Sequence, residues 1–122
     1  MLERKESILM KKSEMFAVRI IRMYKYLKDV KHENILSKQI LRSDTGIGAN
    51  IAESRRAQSE LDFISKLHIA LKEAEETDFW LKSLYQGEYI SEQGFESMTQ
   101  DNEELIRILV KSIKTMKAKI GK

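Results

Sequence analysis

The sequence predicts an all-α protein, an up-down-up-down antiparallel four-helix bundle. Three observations carry that prediction. Apolar residues recur every three or four positions through most of the chain, the period of a helix with one buried face. Proline is absent, so no residue forces a break inside a long helix. Alternating runs rich in β-branched residues, the mark of strands, do not occur. The polar breaks between periodic segments are short, which makes consecutive helices antiparallel neighbours.

Helix 1 is expected to begin at Ser13, whose side chain is placed to cap the first turn. Phe16, Ile20, Met23 and Leu27 then fall on one face, with Arg19, Arg22, Lys25 and Lys28 on and beside the other. Residues 1–12 read as a frayed N-terminal extension, and residues 28–34 end the helix. Helix 2 runs from about Asn34–Ser37 to Ala57. Its stripe is Leu36, Ile40, Ile47 and Ile51, interrupted by Ser43 and Asn50. Gly46 and Gly48 each cost about 1 kcal/mol relative to alanine in a helix. A close backbone approach to a neighbour is the expected reason for both, so Gly48→Leu is expected to push helix 2 away.

Helix 3 opens on Ser59 with Asp62 three residues on, the arrangement of a capping box. Leu61, Ile64, Leu67, Leu71, Ala74, Leu81 and Leu84 supply its buried face, Phe79 and Trp80 add bulk, and Gly87 is placed to stop it. Ser91 caps helix 4, where Phe95, Met98, Asn102, Leu105, Leu109, Ser112, Met116 and Ile120 keep a near-heptad spacing. Its last turns, Lys111–Lys122, hold five lysines and no acid, which suits the negative end of the helix dipole.

Size and composition bound the function. A chain of 122 residues reads as one domain, 1–122, able to bury roughly two-thirds of its unfolded surface. With no cysteine there is no disulfide, thiolate metal site or thiol nucleophile. The longest apolar runs are too short to span a membrane or serve as a secretion leader, so a cytoplasmic protein with no membrane partner is expected. The net charge of +3 is segregated: residues 1–31 carry nine Lys/Arg against four Asp/Glu, and residues 59–90 carry three against seven.

Few motifs point to a reaction. The run Thr45-Gly46-Ile47-Gly48 lacks the third glycine and the Lys-Ser/Thr pair of a phosphate cradle and follows a helix instead of a strand. Glu53, His68, Glu73 and Glu76 lack the paired Glu-x-x-His motifs of a di-metal bundle. No metal, cofactor or catalytic residue is expected; an enzyme built on Glu73 and Glu76 would need a pocket that raises their pKa values. Two constellations remain. Arg42, Ser43, Asn50 and Glu53 on helix 2, with Lys72, Glu73, Glu76 and Thr77 on helix 3, fall near one seam as a candidate register-setting network; the alternative is a set of exposed salt bridges. Arg19, Arg22, Lys25 and Lys28 with Lys111, Lys114 and Lys117 form a candidate basic stripe across helices 1 and 4 that would engage RNA or DNA by its phosphates; the alternative is a solvated lysine-rich face.

The run Ile47-Gly48-Ala49-Asn50-Ile51-Ala52-Glu53, followed by Asp62-Phe63, Lys66-Leu67 and Lys72-Glu73-Ala74 with Glu76-Thr77, resembles a bacterial four-helix-bundle family. That family was first noticed as proteins encoded within intervening sequences of large-subunit ribosomal RNA. The likeness covers about residues 13–85. Members usually read Ser-Gly-Thr-Ser before this core, where this chain has Asp44 and Gly46 at the second and fourth positions. The resemblance implies a homopentamer of bundles without catalytic activity or a settled molecular function. A more distant likeness is to the accessory protein of diversity-generating retroelements, a basic pentameric bundle that binds nucleic acid and a reverse transcriptase. Together these readings predict a non-enzymatic, self-associating scaffold or nucleic-acid-binding module. The alternative is a protein-protein adaptor that binds no nucleic acid.

Overall fold

A computed structural model describes residues 2–121, with side chains from Ile8 onward. Four helices fill it: α1 Leu2–Asp29, α2 Leu36–Ser54, α3 Glu60–Gln86 and α4 Glu92–Ile120. Each packs against its neighbours in the order α1–α2–α3–α4, and α4 closes back on α1. Among the described residues the diagonal pairs α1–α3 and α2–α4 make no close backbone approach. This is the antiparallel bundle that short connections dictate. Among the described residues no helix is long and apolar enough to cross a membrane.

The buried interior is the set of stripes legible in the sequence. Phe16, Ile20 and Leu27 of α1 meet Ile40, Ile47 and Ile51 of α2, Leu67, Leu81 and Leu84 of α3, and Leu105 and Leu109 of α4 in one cluster. Ser59 accepts the Asp62 amide at 3.0 Å and Ser91 accepts the Gly94 amide at 3.0 Å. Each satisfies one of the free amides at a helix start.

Several boundaries differ from the expectation. α1 begins well ahead of Ser13, which is buried and donates its hydroxyl to the Met10 carbonyl at 2.8 Å. The physical reason lies in α4: Ile113 and Met116, near its far end, are buried, and Leu9 joins the same cluster. A first helix starting at Ser13 would leave that end of the core uncovered. α2 ends at Ser54, short of Ala57. Its start is capped by a side chain that the sequence reading passed over. The Glu33 carboxylate accepts the amides of Ile35, Leu36 and Ser37 at 3.0, 2.9 and 2.7 Å. Burial pushes its pKa up, but the three donors outweigh that and hold it below the ordinary range.

Leu61, assigned to the buried face of α3, is 70% exposed, while Phe63 and Ile64 of the same turn are buried, so the helix is rotated to turn Leu61 outward. Ile120 is likewise exposed at the last turn of α4. The stop of α3 involves Glu88 as well as Gly87: Glu88 has φ 66°, and the Tyr89 amide donates to the Leu84 carbonyl at 2.8 Å. This is the left-handed closure usually given to glycine. The two glycines of α2 separate. A Cβ on Gly46 would overlap the side chain of Glu73, approaching its Cδ at 2.8 Å, whereas a Cβ on Gly48 would meet nothing within 4 Å. At Gly46 the nearest atoms are those of the Glu73 side chain, not a neighbour's backbone, and a Cβ at Gly48 has no close neighbour among the described residues, so the close backbone approach expected at both glycines finds no support.

Candidate nucleic-acid interface and interhelix seam

The α2–α3 seam is polar at its centre. Ser43 and Thr77 are both fully buried and share a hydrogen bond of 2.8 Å. Ser43 also lies 3.1 Å from the Ile40 carbonyl, and Thr77 lies 2.9 Å from the Glu73 carbonyl. Two hydroxyl protons serve three contacts. One hydroxyl therefore donates to its own helix while the other donates across the seam.

The exposed edge of the seam is ionic. The Arg42 guanidinium pairs with Glu76 and stands 3.6 Å from Glu73. Glu76 also accepts the Trp80 indole N–H at 3.0 Å. Glu53 pairs with Lys66 at 3.5 Å. Arg42 is half exposed, so each of these pairs contributes at most about 1 kcal/mol.

Six of the eight candidate seam residues thus join α2 to α3: Arg42, Ser43, Glu53, Glu73, Glu76 and Thr77. Two do not. Asn50 donates to the Gly46 carbonyl of its own helix at 2.8 Å. Lys72 is exposed and has no ion pair among the described residues. The buried asparagine that links helices is Asn102, donating to the Ala74 carbonyl at 2.8 Å and to Asp78 at 2.7 Å. Burial nonetheless raises the Asp78 pKa, more than this hydrogen bond lowers it.

Asp44 is a different kind of buried group. It is 3% exposed, its Oδ2 has no hydrogen-bond partner among the described residues, and burial pushes its pKa up to about 7. The helical period places it on the apolar stripe itself, four residues after Ile40 and three before Ile47, so its burial follows from the spacing.

The basic candidates fall into two groups. Lys12 pairs with Glu104 at 3.1 Å, and Arg19 bonds Asp101 at 2.6 Å and Ser97 at 2.8 Å. These contacts fix the antiparallel register of α1 against α4. From that level Lys28 lies nine residues one way and Lys111 ten residues the other. At 1.5 Å per residue they stand on the order of 30 Å apart along the bundle. The stripe expected across both helices is therefore divided, with Arg22, Lys25 and Lys28 toward one end and Lys111, Lys114 and Lys117 toward the other. Arg19 is spent on holding α4.

The lysines of α4 gain different neighbours. A hollow of about 380 Å³ is lined by Arg55, Ser59, Phe63, Met116 and Lys119, among others, which brings the end of α4 against the α2–α3 connection. A second, of about 370 Å³, joins Arg55 and Arg56 to Met10 and Ala52. Arg55, Arg56, Lys114, Lys117 and Lys119 are exposed at this one end. Arg55 and Arg56 fall outside the stripe expected from the sequence because no helical face connects them to Lys119. The paired arginines at a helix end were the available signal.

The model of the 23S rRNA-intervening sequence protein family matches residues 5–111. The chain belongs to this family. The match to the intervening-sequence proteins runs past residue 85, where the recognisable motifs stop, into most of α4. A solved structure of a protein with unknown function, from the S23 ribosomal protein family of Bacteroides thetaiotaomicron, is 50% identical with a TM-score of 0.89. The likeness covers 90% of this chain and 98% of that one. No curated protein matches the chain.

Proposed function

We propose that this intervening-sequence protein is a non-catalytic, cytoplasmic, self-associating bundle that holds RNA or DNA by its phosphates, at the end where α2 and α4 finish. One observation carries the reading. Arg55, just past the end of α2, shares one hollow with Lys119 of α4 and another with Arg56, and none of these three cations forms an ion pair among the described residues. Cations without internal partners remain available to displace the counterions of a nucleic-acid backbone, which gives affinity without sequence reading. One protomer offers a small patch. Copies arranged in a ring, five by the family resemblance, would repeat it around a common axis and steepen the dependence on salt.

Catalysis finds no support in the seam. Glu73 and Glu76 are both engaged by Arg42, an arrangement that neutralises the carboxylates instead of preparing a general base.

Filter retention of structured RNA and of duplex DNA tests the proposal. Retention is expected at low salt, falling steeply as salt rises, and Arg55→Glu with Arg56→Glu is expected to abolish it in a protein that stays helical. Absence of retention at low salt would overturn it. The apolar residues exposed on α1 and α3 favour a second reading, an adaptor between proteins. In that case captured partners would survive nuclease treatment.

A further inference from the structure

Two surfaces on different sides of the bundle stay open among the described residues, and their charges are complementary. The first is the outward face of α1. Met15 and Val18 are 62% and 48% exposed, and Arg22 and Lys25 follow at the spacing of one helical face. The core face of α1, with Phe16, Ile20 and Leu27, points the other way, so the protomer's own interior cannot use this row. Neither Arg22 nor Lys25 forms an ion pair among the described residues.

The second surface is the groove between α3 and α4. It encloses about 560 Å³, with Phe79 and Phe95 as apolar walls and Glu75, Asp78 and Glu103 against a single Lys82 as its charges. Phe79 is 61% exposed. Thr99 also lines the groove, and its hydroxyl, shielded from solvent, has no hydrogen-bond partner among the described residues. A groove with aromatic walls and a net negative rim suits a helix that carries apolar side chains flanked by cations. It repels the phosphates of a nucleic acid.

We propose that the α3–α4 groove is the seat for the outward face of α1 of a second copy, with Met15 and Val18 against Phe79 and Phe95 and with Arg22 and Lys25 facing Glu75 and Glu103. The proposal rests on the self-association in the preceding reading and names the surfaces that make it. Because the two patches differ, the contact is head-to-tail: every copy keeps one groove and one α1 face to offer, and the assembly closes into a ring or grows as a chain. The basic end assigned to nucleic acid stays outside this contact.

Sedimentation of the full chain over a concentration series, with circular dichroism as a check on folding, tests the pairing. The variant Arg22→Glu/Lys25→Glu and the variant Glu75→Lys/Glu103→Lys should each lose association by about tenfold or more, as like charges then face each other. An equimolar mixture of the two should recover it, since each supplies the surface the other needs. A chain with all four substitutions should also associate. If the wild type associates and both variants associate equally well, these surfaces are wrong while self-association stands. If both variants dissociate but the mixture stays apart, the two surfaces do not meet each other. A wild type that is monomeric throughout would overturn the pairing and the self-association together. Pairing of one variant with an unrelated basic peptide, but not with the other variant, would assign the groove to a different occupant.

Discussion

Ser43 on α2 and Thr77 on α3 are hydrogen-bonded to each other at 2.8 Å in a seam that solvent does not reach. Each hydroxyl also has a carbonyl of its own helix within reach. The cross-helix bond thus has a fallback on either side, which changes what its removal should cost.

With one hydroxyl deleted, the survivor can still donate to its own carbonyl, so no buried donor is stranded. Ser43→Ala or Thr77→Val should therefore cost about 1 kcal/mol, the net worth of one hydrogen bond, and not the larger penalty of an unsatisfied group. The double variant should cost less than the sum, because the second deletion removes a bond already lost. Denaturant melts of the four proteins check this. Strict additivity would mean the two hydroxyls do not interact.

Asp44 sets the pH dependence. Its carboxyl titrates near 3.8 when exposed and at about 7 in the folded chain, so between those values the folded protein holds a proton that the unfolded chain has released. Stability from this group is complete below about pH 4, falls as pH rises, and levels off above pH 7. Asp44→Asn removes the ionisation and should raise stability at pH 8 by an amount on the order of 4 kcal/mol. Its effect should vanish near pH 3. Thermal melts across that range decide, and a gain that does not change with pH would place the cause elsewhere.

Gly46 and Gly48 should respond oppositely to the same change. Alanine adds about 1 kcal/mol of helix propensity at either position. At Gly48 nothing opposes it, and the gain should appear in full in the monomer. At Gly46 the new Cβ must displace Glu73 from its place beside Arg42, offsetting the gain. Introducing Glu73→Ala first should remove that opposition and make Gly46→Ala stabilising. The comparison is one double-mutant cycle read by urea melts. An equal response of the two glycines in the wild-type background would contradict it.

What the sequence determined by itself was every feature that depends on residues within about one turn of each other. The stripe Phe16-Ile20-Leu27, the Ser59 and Ser91 caps, and the all-α class follow from periodicity and local hydrogen bonding, which are complete inside a short window. Part of the seam was legible on the same ground, since Ser43 interrupts an apolar stripe and Thr77 sits three residues from Ala74 on the facing one. Tertiary structure decided the rest. Which of two neighbouring glycines touches Glu73, whether Asn50 or Asn102 bridges helices, and that the end of α4, with Lys119, stands against Arg55 all depend on the rotation and axial register of whole helices. Those two quantities are fixed by the summed packing of side chains from four segments, and no single segment contains them.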